Sequence, residues 1–166
     1  MSKPRQDFMW KVHDYVSNNI RFADTKAALS FAFSSGLLSW ITSQHNRFAD
    51  PKAFGVFPTI LLWTGVACLL ASILLFAWSL IPRLWARTKK GLIFWEQVAL
   101  YDNGNAYESA LEKAGEPGLD AALAEHIHIM ARLASRKFAL IGTGVMLAAA
   151  GTALVAFPVV KIAVCN

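Results

Sequence analysis

Charged residues are missing from three long stretches of this sequence. Asp, Glu, Lys and Arg make up 16% of the chain and hydrophobic residues 55%, and no charge falls within 27–44, 54–81 or 138–160. A soluble domain of this length needs more polar residues to cover its surface. About 20 apolar residues in a helix cross a hydrocarbon core of about 30 Å. The sequence therefore predicts an all-α membrane protein with three transmembrane helices.

Cysteine is also scarce, and its positions exclude a disulfide framework. The chain has only two cysteines. Cys68 lies inside an apolar stretch and Cys165 is the penultimate residue, so we expect no bridge between them. Cys68 is most simply a small packing residue.

Recognisable catalytic motifs are absent as well. The sequence contains no glycine-rich phosphate loop and no nucleophile elbow. His126 and His128 are two residues apart on a predicted helix and point to different faces, so they are not expected to chelate one metal ion. No charge lies within a predicted span, which argues against a proton relay. The sequence predicts no catalytic residue, no metal site and no cofactor, and we expect the protein not to be an enzyme.

Basic residues are unevenly distributed between the predicted loops. Of the 16 Lys and Arg residues, 13 lie in 1–26 and 82–137, and three lie in 45–53 and the tail. Positive loops stay inside, so we expect the basic segments in the cytoplasm and the C-terminus outside. The same bias explains the net charge of +5 without a nucleic-acid partner. The predicted order is a cytoplasmic amphipathic helix (1–26), two spans with a short external loop (27–81), a cytoplasmic helical region (82–137), a third span (138–160) and an external tail (161–166).

The N-terminal segment has helical periodicity. Phe8, Val12, Tyr15, Asn19 and Phe22 follow one another at spacings of three and four residues, which indicates one face of an amphipathic helix. Such a helix either lies on the membrane surface or packs on the cytoplasmic loop. We expect packing on the loop, because the chain continues into the first span without Gly or Pro. The N-terminal helix and the loop helices should together form a small cytoplasmic bundle.

The loop between the second and third spans predicts further helices. Leu92, Trp95 and Ala99 fall on one helical face. The sequence 102–105, Asp-Asn-Gly-Asn, and the sequence 115–118, Gly-Glu-Pro-Gly, are strong break signals on either side of a short helix predicted over 106–114. From Leu119 onward the apolar spacing predicts a helix that runs directly into the third span.

Three charges crowd the predicted entrance to the first span. Arg21 and Lys26 are explained by topology and by the reach of lysine toward lipid headgroups. Asp24 is different, because a carboxylate at the membrane boundary needs a cationic partner. Arg21, Lys137 and Arg83 are the candidates.

These residues also carry a resemblance to a known family. The segment 19–27, NIRFADTKA, resembles the "ADxKA" signature that opens the transmembrane effector domain of Pycsar anti-phage systems. The cytoplasmic loop of that family is resembled by Pro82, by residues 91–95 (GLIFW), by Tyr107 and by the segment 127–138. The motif positions in this chain are Arg21, Ala23, Asp24, Lys26 and Ala27.

The resemblance implies an anti-phage defence effector in the bacterial inner membrane. In that family a partner cyclase makes a cyclic pyrimidine nucleotide, cUMP or cCMP, during infection. The effector responds by impairing the membrane and aborting the infection. The activating ligand would then be the nucleotide.

A cyclic nucleotide needs a cation or backbone donors for its phosphate and a planar surface for its base. The cytoplasmic half supplies candidates of both kinds: Arg87, Lys89, Lys90, Trp95, Tyr101, Tyr107, Arg132 and Arg136. We also expect a homo-oligomer, since small residues allow close helix contact within a membrane. Gly142, Gly144, Ala148 and Gly151 are such residues, and packing within one chain is an equal explanation for them.

Two other functions remain open from the sequence. One alternative to the effector function is a membrane scaffold that recruits a partner through the cytoplasmic bundle. The other is a subunit of a small homo-oligomeric channel. The residues that would line such a channel are Ser30, Ser34, Ser35, Ser39 and Thr42.

Overall fold

The structure, a computed structural model, describes residues 3–44, 55–81 and 90–165. It contains four helices, α1 (Lys3–Ser43), α2 (Val56–Leu80), α3 (Trp95–Val98) and α4 (Gly104–Cys165). No strand occurs within the described ranges. The predicted all-α fold is confirmed.

The chain divides into two compact units. The first, here called the polar unit, comprises Met1–Arg21 and Pro82–Arg136, and the second, the apolar unit, comprises Phe22–Ile81 and Lys137–Asn166. Helices α1 and α4 contribute residues to both units. The expected cytoplasmic segments, 1–26 and 82–137, differ from the polar unit by only a few residues, and their placement relative to a membrane stays a prediction.

Buried positions in the apolar unit follow a strict seven-residue repeat. In α2 the buried residues are Pro58, Leu62, Gly65, Leu69, Ser72, Phe76 and Ser79, which alternate spacings of four and three. In α4 the buried residues are Ile141, Gly144, Ala148, Gly151, Val155 and Pro158, at spacings of three and four. This period of 3.5 residues is that of helices packed at a small left-handed crossing angle.

Two core clusters show how the three long helices are arranged in the apolar unit. One contains Ala23 of α1, Phe76 of α2 and Ile141 of α4, and the other contains Ile41, Leu62 and Val155 from the same three helices. Along the chain α1 and α4 therefore run in the same direction and α2 in the opposite one. All three helices lie side by side over the same length.

Helices α2 and α4 approach at two glycines. A Cβ atom at Gly65 would lie 2.9 Å from the carbonyl oxygen of Gly151, and one at Gly151 would lie 2.8 Å from the carbonyl oxygen of Gly65. Gly144 packs against the ring of Phe76, whereas a Cβ at Gly142 would meet no atom within 4 Å. Of the small residues considered for an oligomer interface, Gly144, Ala148 and Gly151 are thus used for packing within the chain.

The outer surface of the apolar unit is itself apolar. Phe33, Trp63, Leu74 and Met146 are between 62% and 75% exposed. Helices α2 and α4 are each long and apolar enough to cross a membrane, and only 28% of the residues in the most apolar window of each are buried. Core helices of a soluble protein bury their apolar residues, so these surfaces fit a lipid environment. The chain is an all-α membrane protein.

The predicted face of the N-terminal helix is wrong. Phe8, Tyr15 and Phe22 are 54% to 70% exposed, whereas Val16 and Ala23 are buried. The buried side of α1 is shifted from the aromatic stripe to smaller side chains. Small residues permit a closer helix contact, and the large rings remain on the outside.

The predicted helical face of Leu92, Trp95 and Ala99 is also wrong, because α3 covers only Trp95–Val98. The carbonyl oxygen of Leu92 accepts a hydrogen bond from the hydroxyl of Tyr107 at 2.7 Å, which occupies it outside any helix. Farther along, α4 begins at Gly104 instead of Ala106 and continues to Cys165, through most of the predicted tail.

The predicted break at 115–118 is present as a kink in α4. Gly115 has φ 59° and ψ −176°, a conformation open essentially to glycine alone. Pro117 follows within the first turn of the resumed helix, where its missing N–H breaks no hydrogen bond. From there the helix is continuous, as the spacing predicted.

Candidate functional site

The motif residues of α1 have distinct structural roles. Ala23 and Ala27 lie one turn apart and are fully buried. They pack in the cluster that contains Phe76 and Ile141, so larger side chains would push α1 away from its neighbours. Lys26 is exposed, and its ammonium lies 4.3 Å from the ring centroid of Phe22, at cation–π distance.

Asp24 pairs with Lys137 across the apolar unit. The Lys137 ammonium donates a hydrogen bond to the Asp24 carboxylate at 2.5 Å. The Asp24 and Lys137 side chains are 40% and 25% exposed, respectively, which leaves the pair partly screened from solvent. The expectation that Asp24 has a cationic partner is confirmed, and Lys137 fills the role. Arg21 is exposed at the end of the N-terminal segment of the polar unit, and Arg83 lies outside the described residues.

A second group of predicted residues meets in the polar unit. The rings of Tyr101 and Tyr107 are 5.3 Å apart and nearly edge to face. The Lys90 ammonium lies 5.3 Å from the Tyr101 centroid and 3.5 Å from the Asp102 carboxylate. We call Lys90, Tyr101 and Tyr107 the tyrosine ledge.

The local sequence explains the rigidity of this ledge. The side-chain oxygen of Asn103 accepts the backbone N–H of Ala106 at 2.8 Å, which caps the start of α4. The hydroxyl of Tyr107 is fixed by Leu92, fifteen residues earlier in the chain. Tyr107 is therefore anchored at both ends and holds the edge of Tyr101. The turn predicted at 102–105 is what brings the two rings together.

The other predicted ligand residues are not joined to the ledge. Arg132 and Arg136 are exposed one turn apart on α4, and no described hydrogen bond or ion pair connects them with Lys90 or the tyrosines. Trp95 begins α3, and its side chain lies outside the described part of the chain. Arg87 and Lys89 also lie outside the described residues.

A contact that sequence reasoning missed is a row of four rings in the polar unit. His13 of α1 stacks on His126 of α4, with centroids 5.6 Å apart and an angle of 24°. Trp10 flanks His13, and Phe94 flanks His126. The sequence did not indicate this contact, because the predicted packed face of α1 was the aromatic stripe with Phe8 and Tyr15 and not the side that carries His13 and the buried Val16. Within the described residues no group of three metal-ligating side chains converges.

The cavities lined by described residues include one in each unit. One, of about 330 Å³ in the polar unit, is bordered by Arg5, Glu116 and Asp120. Two carboxylates against one guanidinium make this cavity unfavourable for an anion. The other, of about 600 Å³ in the apolar unit, is a groove between α1 and α4 lined by Leu29, Phe33 and small residues such as Ala149 and Ala153.

Serines expected for a channel lining are partly internal. Ser34 is fully buried, and its hydroxyl lies 3.4 Å from that of Ser72, which also donates to the carbonyl of Leu69. The hydroxyl of Thr42 donates to the carbonyl oxygen of Ser39 in the preceding turn. Ser34 is thus part of the contact between α1 and α2.

Comparisons with known proteins agree along nearly the whole chain. A family described as the Pycsar effector protein domain matches residues 8–164. The Pycsar effector protein SaPycTM of Staphylococcus aureus is 24% identical over 164 residues, covering 98% of this chain and 99% of that protein. No solved structure matches significantly. The chain, with its motif residues on α1 and its apolar helices, belongs to the Pycsar effector family of anti-phage defence proteins.

Proposed function

We propose that this chain senses a cyclic pyrimidine nucleotide, cUMP or cCMP, made by a partner cyclase, and responds by impairing the inner membrane to abort infection. One observation carries the proposal: the family match at 8–164 includes both the polar unit, with its tyrosine ledge, and the apolar unit, with its lipid-compatible surface. A signal receptor and a membrane effector would then reside in one chain. The family is not a known enzyme family, and no chemistry is needed for this role.

The proposal places all three long helices of the apolar unit across the membrane. The stretch of α1 from Ala23 to Ile41 contributes to both core clusters, at the same levels as α2 and α4. If α2 and α4 cross lipid, α1 crosses with them. Ser34, in the middle of this stretch, is buried and paired with Ser72. The positive-inside bias supports a cytoplasmic polar unit, where a nucleotide made in the cell would reach it.

Membrane impairment requires that the signal favour one arrangement of the protein over another. A ligand shifts such an equilibrium only by its difference in affinity for the two states. We propose that the active arrangement is a homo-oligomer. Gly142, which has open space around it, and the groove between α1 and α4 are surfaces that packing within the chain leaves available.

The cellular test is co-expression with a nucleotide cyclase. Bacteria that carry the chain and an active pyrimidine cyclase should lose membrane potential, measured with a potential-sensitive dye. Cells with the chain alone, or with a catalytically dead cyclase, should keep it. Equal loss of potential with and without the nucleotide would support a constitutive channel and overturn the proposal.

The biochemical test is calorimetry of the purified full chain with cUMP, cCMP, cAMP and cGMP. Heat of binding with a pyrimidine nucleotide, and weaker or no heat with the purine nucleotides, is the expected result. If none of the four nucleotides binds, the isolated chain is not the receptor.

A further inference from the structure

Side chains of the protein itself already make the contacts at the tyrosine ledge that a ligand would make. The Lys90 ammonium lies 5.3 Å from the Tyr101 centroid, and the Asp102 carboxylate lies 3.5 Å from the same ammonium. The Asp102 carboxylate therefore supplies a negative group beside Lys90, and the Lys90 ammonium lies over the Tyr101 ring. These are the two contacts that an anionic ligand with a planar base would make.

Resting on the proposed function, we propose that the tyrosine ledge is the nucleotide site and that Asp102 is a built-in competitor for its phosphate. On binding, the phosphate takes the place of Asp102 beside Lys90. The base stacks on Tyr101 where the lysine lay. Asp102 then sets how much nucleotide is needed, because a closed site lowers apparent affinity by the fraction of molecules that are open.

The geometry suits a contact that can be displaced. Asp102 is 83% exposed and Lys90 is 50% exposed. Exposed ion pairs of this kind are weak, so a doubly anchored ligand can replace one at small cost. Tyr107, by contrast, is fixed by its hydrogen bond to the Leu92 carbonyl and does not need to move. The site thus combines an aromatic ring held by a hydrogen bond with an exposed charge pair.

The position of Asp102 in the chain gives the displacement a direct structural consequence. Asp102 lies immediately before Asn103, the residue whose side chain caps α4. A nucleotide that displaces Asp102 would therefore bind beside the first turn of α4. The cavity beside Arg5 in the same unit is a poorer candidate, because two carboxylates border it.

The test is calorimetry with cUMP and cCMP on the full chain and three variants. Asp102→Asn should bind the cognate nucleotide about 3- to 10-fold more tightly, since it removes a competitor and a nearby like charge. Lys90→Gln should weaken binding about 10-fold through loss of the phosphate contact. Tyr101→Ala should weaken it about 10-fold, and Tyr101→Phe, which keeps the ring, should bind almost normally.

Matched controls separate the site from general electrostatics. Glu108→Gln removes an exposed negative charge from the first turns of α4, and Lys113→Gln removes an exposed positive charge from the same helix. Both controls should bind like the unaltered chain. If Glu108→Gln raises the affinity as much as Asp102→Asn, the competitor role is overturned.

The outcomes distinguish this inference from the function on which it rests. If the unaltered chain binds nucleotide and the Lys90 and Tyr101 variants bind equally well, the ledge is not the site, and the proposed function stands. If the unaltered chain binds no nucleotide, both fall. Circular dichroism of each variant establishes that the helices are retained, and Tyr101→Phe keeps the test decisive if Tyr101→Ala does not fold.

Discussion

Asp24 carries a negative charge at the start of an apolar stretch, and such a charge requires a cationic partner. The structure supplies Lys137, 113 residues away. That Lys137 is the partner was not accessible from the sequence, because it depends on the rotation of α1 and α4 about their axes. The same rotation determines which face of α1 is buried. The aromatic stripe therefore predicted the wrong face.

The Asp24–Lys137 pair should contribute measurably to stability. Asp24→Asn and Lys137→Met should each lower the unfolding free energy by about 1 kcal/mol, since each leaves a half-buried charge without its partner. For a chain of this size that corresponds to a decrease in Tm of about 2–4 °C. Thermal unfolding in detergent or nanodiscs measures the change.

The exchanged double variant Asp24→Lys with Lys137→Asp is the matching control and should recover most of the loss. Asp14→Asn, whose carboxylate contacts the neighbouring His13, should leave Tm close to its original value. A double variant less stable than either single one would show that the pair does not act as a simple ion pair.

At the scale of helices, prediction succeeded where the signal was local and failed where it was not. The break signal at 115–118 predicted the interruption that is found as a kink at Gly115. The turn signal at 102–105 contains Asn103, which caps the start of α4. The helix expected across Leu92 and Ala99 is limited to Trp95–Val98, and the Leu92 carbonyl accepts a hydrogen bond from Tyr107, which lies outside the segment. Apolar periodicity alone does not reveal such a long-range contact.

The crossing of α2 and α4 should not tolerate a side chain at Gly65. Gly65→Ala places a methyl group against the Gly151 carbonyl and the Val155 side chain, at 2.9 and 2.7 Å. The Gly151 carbonyl is part of the backbone and cannot rotate aside, so the two helices must separate. We expect the free energy of unfolding to fall by about 1–3 kcal/mol. Thermal unfolding again provides the readout.

Gly142→Ala provides the comparison on α4 itself, because the new methyl group meets nothing within 4 Å. It should be neutral or stabilise the helix by up to about 1 kcal/mol. Equal losses at both positions would mean that the glycine contact is not what holds the helices together.

For the whole molecule, composition alone indicated the class of protein, and the structure confirms an all-α membrane protein. The contacts of the tyrosine ledge could not be predicted from composition. Tyr101 and Tyr107 were candidates by type, but their contact with Lys90 depends on a turn and a long-range hydrogen bond. Arg132 and Arg136 were candidates by the same reasoning, and no described hydrogen bond or ion pair joins them to Lys90 or the tyrosines. Which of these residues bind a ligand stays a prediction.

The orientation of the chain is testable with fused reporters. Alkaline phosphatase fused after Gln44 or after Asn166 should be active, since both ends are predicted outside. A fluorescent protein fused after Asn105 should fluoresce, because this segment is predicted to be cytoplasmic. If the fusion after Asn166 fluoresces and the phosphatase fused there is inactive, the orientation is the opposite of the predicted one. The polar unit would then lie outside the compartment in which its signal is made.

The seven-residue repeat of the buried positions restricts how this protein can change in length. One residue inserted in the middle of α2 would turn everything beyond it by about 100° and carry Phe76 from the core to the lipid. An insertion of seven residues keeps the register. Insertions and deletions among related chains should therefore collect between the helices.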